Sequence, residues 1–300
     1  MDIYVSKEDY EFKNINCEGL EYYTTLQGAV DDLNNVAGDD EEVIIHIAPG
    51  LYKERVEIRR NNVTLIGDTG NPSDVFVSMD YFAKQILKGT DEETGTFRSY
   101  TFLIMADNIK VNDITIENAS GDSETHGQAL AVYADGNNLL FNNVRMLGHQ
   151  DTLFTAPLPP KVVIPGGFKG PGEFTERRLG KHSYVNCYIC GDIDFIFGGA
   201  MAIFENCIIE SLIRKNDGEG YCTAASTPEG AEYGYIFKNC KFIADEKMPE
   251  GKVYLGRPWR EFAQSEFIDC EFGKHINKEY FKEWSGRIAA GGVKYSIRKS

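Results

Sequence analysis

The apolar residues of this chain come in short runs, and each run is closed by a small polar residue that can make a bend. An apolar strand, an Asn or Asp, often a Cys, and a second apolar strand make the recurring unit. It occurs as Val111-Asn112-Asp113-Ile114, Phe141-Asn142-Asn143-Val144 and Val185-Asn186-Cys187-Tyr188. It returns as Phe204-Glu205-Asn206-Cys207, Phe237-Lys238-Asn239-Cys240 and Phe267-Ile268-Asp269-Cys270, and Asn62-Val63-Thr64-Leu65 is expected to open the series. Asn and Asp tolerate the left-handed backbone conformation and bond to their own backbone, so they suit a bend between two strands. The bends at 113, 143, 186, 206, 239 and 269 are separated by 20 to 43 residues. The shortest interval is that of a bare coil, and the excesses are loops inserted in particular coils.

This pattern predicts an all-β chain, a solenoid of short parallel strands with loops on selected edges. No long amphipathic helix interrupts the series, which counts against a doubly wound α/β sheet. One short helix is expected near the start, where Thr25 precedes Leu26, Ala29, Val30 and Leu33 at helical spacing. Such a helix would cap the first coil and shield its strand edges. A strand over 43–47 follows, and Gly50-Leu51-Tyr52-Lys53-Glu54 reads as a structural turn.

Length changes little, since a solenoid of 300 residues grows along one axis and needs no second domain. Residues 1–300, without a linker or an abrupt change of composition, read as one domain. A net charge of −15 argues against nucleic acid and against anionic membrane surfaces. No apolar run approaches the length of a membrane-spanning helix. The N-terminus Met1-Asp2-Ile3-Tyr4 shows no basic segment followed by an apolar one, so the chain as numbered is expected in the cytoplasm. The alternative is secretion, with the leader absent from this sequence. Seven cysteines cannot all pair, and Cys187, Cys207, Cys240 and Cys270 occupy the repeat position as a buried stack. No metal site is expected; Cys187 and Cys190 form a C-x-x-C without a second pair at ligand spacing.

The candidate chemistry comes from Asp151 and Asp194. Each lies eight residues after the Asn of its own repeat, 151 − 143 and 194 − 186. On adjacent coils the two carboxylates would stand one above the other, roughly 4.7–4.9 Å apart by strand spacing. Carboxylates that close cannot both ionise easily, so one becomes an acid beside an ionised nucleophile or base. Asp192 reads as a turn cap. No Ser-His-acid pattern and no G-x-S-x-G is present, and His149 is the one histidine placed to matter.

Five segments then carry a family resemblance: Gly50-Leu51-Tyr52-Lys53-Glu54, Gly127-Gln128-Ala129-Leu130-Ala131-Val132-Tyr133, Gly148-His149-Gln150-Asp151-Thr152-Leu153, Asp192-Ile193-Asp194-Phe195-Ile196-Phe197-Gly198 and Leu255-Gly256-Arg257-Pro258-Trp259. In this order they resemble the pectin methylesterases, carbohydrate esterases, over about residues 25 to 285, which implies a right-handed, single-stranded parallel β-helix. The resemblance implies hydrolysis of galacturonate methyl esters in pectin or its oligomers, by a monomer, without cofactor. It implies that Asp194 is the nucleophile, Asp151 the general acid/base, Gln128 and Gln150 the oxyanion donors, and Arg257 the cation that holds Asp194. It implies that Trp259 walls the sugar subsite, with Thr101, Tyr133, Phe154 and Phe197 lining the groove.

Rival readings are a pectate lyase or polygalacturonase on the same scaffold, and a silent carbohydrate-binding β-helix. Two departures from the family stand out. The segment from Ala156 to Lys181, rich in Pro and Gly, reads as an inserted loop walling the cleft. The C-terminal residues Arg287 to Ser300 are short and unfamiliar.

Overall fold

The computed structural model describes residues 1–8, 10–12, 22–38, 40–216, 218–284 and 292–300. Among them the strands form three parallel sheets of ten, eight and seven strands, each ordered along one axis. Successive coils visit the sheets in turn, as in 139–142, 145–147 and 153–155, then 181–185, 188–191 and 193–198. This is the parallel solenoid expected from the repeat, in the form of the right-handed parallel β-helix that the resemblance implies.

The bends follow the same plan. Asp113, Asn143, Asn186, Asn206, Asn239 and Asp269 all take positive φ between 53° and 58°. Each is the first residue of a two-residue corner between the ten-stranded and eight-stranded sheets. Asn143 Nδ2 donates to Asp113 Oδ1 at 2.6 Å, tying one coil to the next. Asn62 belongs elsewhere. With Asn108 and Asn138 it forms a second ladder at the entry to the ten-stranded sheet, joined by amide hydrogen bonds of 2.8 and 2.9 Å. Its place in the first series is taken by Gly67, where a Cβ would meet Asp113 O at 2.1 Å.

Inside the coils the core is layered. Phe141, Tyr184, Phe204, Phe237 and Phe267 stack ring on ring, with centroids 4.5–5.0 Å apart. Cys187, Cys207 and Cys240 are buried beside them, each Sγ donating to strand carbonyls. These three thiols are core, as their place in the repeat implies, whereas Cys270 at the end of the stack is only half-buried.

The helix Leu26–Val36 buries Leu26, Ala29, Val30 and Leu33, and Thr25 caps it by accepting from Gly28 N–H. The segment 50–54 is more than a turn. Gly50–Tyr52 is a strand, and the Glu54 carboxylate accepts from the N–H groups of Leu26 and Gln27 at 3.1 and 2.8 Å. A carboxylate there satisfies orphan donors and complements the helix dipole. At the other end, Lys294–Arg298 adds a strand to the ten-stranded sheet. The beginning of the unfamiliar tail falls in 285–291, outside the described residues.

The corner geometry generates a test. Asn143→Ala should lower stability by about 1–2 kcal/mol, because alanine resists the left-handed conformation and loses the ladder bond. Asn143→Gly, which accepts positive φ, should recover part of that loss in thermal unfolding. Equal stability of the two variants would refute the conformational account.

Candidate active site

The seven-stranded sheet brings the expected residues into one row along the axis. Strand Leu153–Thr155 pairs with Ile193–Gly198 in the register Leu153↔Ile196, so Asp151 stands opposite Asp194 one coil away. Gln150, next to Asp151, forms a parallel bridge with Gln128 one coil earlier, both half-buried. Arg257 follows strand Val253–Gly256, two coils beyond Asp194.

Both aspartates have positive φ, 67° at Asp151 and 48° at Asp194. The register between strands 193–198 and 220–225 shifts by one residue between Ile193 and Ile196, a bulge that contains Asp194. A bulge turns a side chain away from the regular alternation, and here it sets Asp194 toward the row. At Gly191 a Cβ would meet Phe195 Cβ at 2.2 Å, so only glycine allows this tight entry.

Arg257 makes a forked contact with Asp194, Nε to Oδ1 at 2.9 Å and Nη2 to Oδ2 at 2.7 Å. Asp194 is 4 % exposed and Asp151 7 %. A paired guanidinium stabilises an ionised carboxylate. Burial first, then the charge of Asp194, pushes the Asp151 carboxyl well above the usual carboxylate range. Arg257 opposes that shift and Asp192 adds to it. The environments of two neighbouring carboxylates are thereby split, an acid beside a base.

Asp192 is not simply a turn cap. Its buried carboxylate accepts from Ser123 Oγ at 2.7 Å and lies 3.4 Å from His149 Nδ1. His149, singled out in the sequence, therefore faces the carboxylate beside the acid. Among the described residues no group of three His, Cys, Asp or Glu side chains is placed to hold a metal ion.

The expected groove residues need correction. Thr101, Tyr133 and Phe154 have no exposed surface, and Phe197 keeps 3 %. Thr101 Oγ1 donates to Glu117 O, 2.7 Å away. Tyr133, Phe154 and Phe197 do point outward from the coil interior, as strand alternation requires. They pack with Phe97 and Tyr100 into a second apolar cluster on the outside of the sheet.

The segment 156–181 covers that cluster. It brings Phe168 to Phe97 and Trp259, with centroids 5.9 and 6.3 Å apart. Lys169 pairs with Glu92 and Arg178 with Asp107, while Lys161 O accepts from Arg260. Of the five aromatic and hydroxyl side chains expected to meet substrate, Trp259 alone remains half-exposed, with its ring 5.6 Å from Phe197. Between Pro165–Lys169 and residues 91–98 runs a groove of about 490 Å³ that reaches Gln128.

Tyr221 and Trp284 were absent from the expectations. Their rings lie on the two faces of the Arg257 guanidinium, with centroids 3.9 and 3.7 Å from its Cζ. Neither sits in a motif with the arginine. Their place follows only from the strand register and from the return of the chain after 272.

The family model described as pectinesterase matches residues 14–158 and 177–299, leaving the middle of the inserted segment between its two parts. A probable pectinesterase/pectinesterase inhibitor of Arabidopsis thaliana is 29% identical over 93% of this chain and 43% of its own length. The chain spans 43%, 61% and 47% of three such relatives. The solved pectin methylesterase from carrot superposes with a TM-score of 0.77 at 21% identity, over 99% of this chain and 82% of its own. A pectin methylesterase mutant in complex with a hexasaccharide gives 0.73 at 24%, over 98% and 92%.

Two outcomes follow from this geometry. The groups facing Asp151 are Asp194, Arg257 and Asp192. Removing the Asp192 charge takes away one influence that favours the protonated form. The Asp151 carboxyl in Asp192→Asn should therefore titrate at lower pH, as followed by ¹³C NMR. An unmoved midpoint would mean that the Asp192 charge does not reach it. Phe168→Ala should lower the free energy of unfolding by on the order of 3 kcal/mol, since it opens a cavity beside Phe97 and Trp259. A loss below the usual scatter of surface substitutions, about 0.5 kcal/mol, would show the cover to be dispensable.

Proposed function

The chain belongs to the pectinesterase family, and on that premise we propose that it is a pectin methylesterase. It would hydrolyse the C6 methyl ester of galacturonate in homogalacturonan or its oligomers. The observation that carries this reading is the carboxylate pair itself: Asp194 forked by Arg257, with buried Asp151 opposite it in register.

The chemistry follows from those positions. One oxygen of ionised Asp194 attacks the ester carbonyl carbon, and the carbonyl oxygen gathers negative charge. Gln128 and Gln150 offer amide N–H donors for that oxygen, and loss of one such donor commonly costs on the order of 2.7–4 kcal/mol. As the carbon–methoxy bond breaks, Asp151 gives its proton to the methoxy oxygen and methanol leaves. An anhydride between Asp194 and the galacturonyl carbon remains. Asp151, now ionised, takes a proton from water as that water attacks the same carbon. The Asp194 carboxylate departs and the galacturonate carboxyl is free. The cycle balances with water as the sole co-reactant.

The sugar chain is placed by the half-exposed Trp259 and by the groove that the inserted segment builds beside Gln128. The solved relative bound to a hexasaccharide supports an oligosaccharide in the corresponding cleft.

With highly methylated pectin the protein should release methanol while forming neither new reducing ends nor unsaturated product. A chelator should leave the rate unchanged. Chain cleavage, or activity lost to a chelator and restored by calcium, would overturn the reading. Asp194→Ala should abolish turnover, and Asp151→Asn should slow it by roughly 10²-fold or more in a folded protein. Arg257→Leu should slow turnover and move the acidic limb of the rate profile to higher pH, because Asp194 without its cation takes a proton more easily. Lysine should restore charge but not the fork.

A further inference from the structure

Arg257 directly follows a strand two places from that of Asp194, and neighbouring strands are roughly 4.7–4.9 Å apart. Its side chain must therefore cross the strand between them, and the residue at the crossing is Tyr221. The register sets Tyr221 opposite Tyr254 and opposite Ile193, the residue before Asp194. The guanidinium lies on the Tyr221 ring at 3.9 Å, and Trp284 closes over its other face at 3.7 Å. We propose that Tyr221 and Trp284 are positioning residues, an aromatic clamp that fixes the plane of Arg257 so that its forked edge can face only Asp194.

Guanidinium chemistry explains why a clamp would be needed. The five N–H donors of arginine lie in the plane of the group, and its two faces carry none. Rings on both faces are held by the cation without competing for a single donor. They also keep water from the faces, so the contact at the edge acts through a medium of lower dielectric. Without them, a long side chain reaching across a strand could swing and lose one arm of the fork.

The clamp is itself tied together. Tyr221 donates its hydroxyl to Glu219 at 2.8 Å, and its ring stacks on Tyr254 with centroids 5.7 Å apart. Glu219 pairs with Lys282, two residues before Trp284. Lys282 N–H donates to Gly256 O, immediately before Arg257. One ion pair thus joins the strand carrying Tyr221 to the segment carrying Trp284. At Gly256 a Cβ would meet Thr223 Oγ1 at 2.2 Å, so the chain can approach this closely only as glycine.

The inference rests on the proposed reaction, but one arm of its test does not. Among the described residues, the charged and titratable groups that face Asp194 include Arg257, Asp151, Tyr221 and Tyr295. Tyr221→Leu and Trp284→Leu keep Arg257 but free its plane. Each should lower kcat for methanol release by roughly 10- to 100-fold, the cost of misplacing a reacting group by about an ångström. KM should change little, and the acidic limb should move to higher pH. Tyr221→Phe and Trp284→Phe keep a ring on each face and should retain most of the rate and the parent limb.

A raised KM with parent kcat in the leucine variants would make the rings a sugar platform and overturn the proposal. A lowered kcat with an unmoved acidic limb would reduce them to general packing and overturn it too. Trp284 is at the edge of the fold, so Trp284→Leu carries the test if Tyr221→Leu does not fold. The ¹³C titration of Asp194 in the parent and in Trp284→Leu is read without substrate. An upward shift in the variant supports the clamp even if the parent releases no methanol, which would sink the functional reading alone. Identical titrations would sink the clamp.

Discussion

Everything in this molecule depends on each coil returning to the same register. A parallel strand pair fixes side chains only as well as the connections permit. Here the connection between two of the sheets is a two-residue corner that opens on a residue with positive φ, repeated from Asp113 to Asp269. That corner has one length and one direction, so an offset counted from it is preserved from coil to coil. Asp151 and Asp194 come to face each other because both are counted from such corners, at Asn143 and Asn186. The same regularity makes deviations useful. The bulge at Asp194 costs the strand one ladder position and aims a carboxylate.

The legible part of the sequence was the part governed by local rules. A left-handed corner restricts residue choice, so its periodicity survives in the chain as a row of Asn and Asp. The reading failed where one residue type serves two corners. Asn62 joins the first series only if Asn108 and Asp113 are treated alike, yet these two flank opposite ends of one strand, Ile109–Asn112. The helix over 26–36 was legible because its cap and its apolar spacing lie within a few residues. The role of Glu54 was not, since its partners at Leu26 and Gln27 are reached only after the first coil closes.

The candidate site divides in the same way. Asp151, Asp194, Gln128, Gln150 and Arg257 sit in motifs, and the fold gathers them. The expectation for Tyr133, Phe154 and Phe197 went astray for a physical reason. An outward-facing aromatic on a strand looks like a cleft wall unless something lies over it. What lies over these is the segment 156–181, whose Pro and Gly content marks it as a loop without saying where the loop goes. Its Phe168 turns a would-be exposed face into a second core. The cleft is left with fewer exposed rings, and the groove beside Gln128 is walled by a segment that the family model passes over.

Charge adds a constraint that geometry alone does not contain. On the proposed reaction each turnover converts a neutral ester into a carboxylate inside the row of Asp151, Asp192 and Asp194. Arg257 is already committed to Asp194 through both of its forked donors. Asp192 is engaged with Ser123 and His149, and it carries no positive charge to offer the product. The new anion therefore meets more negative than positive charge at the point where it forms. With a screening length of about 8 Å at physiological ionic strength, the distant part of the −15 net charge matters less than these near groups. The ester is drawn in by contacts that do not depend on charge, such as the Trp259 ring, and the acid is pushed away by contacts that do. A site that binds a neutral group and makes an anion gains from being acidic, provided one cation is held where only the nucleophile can use it.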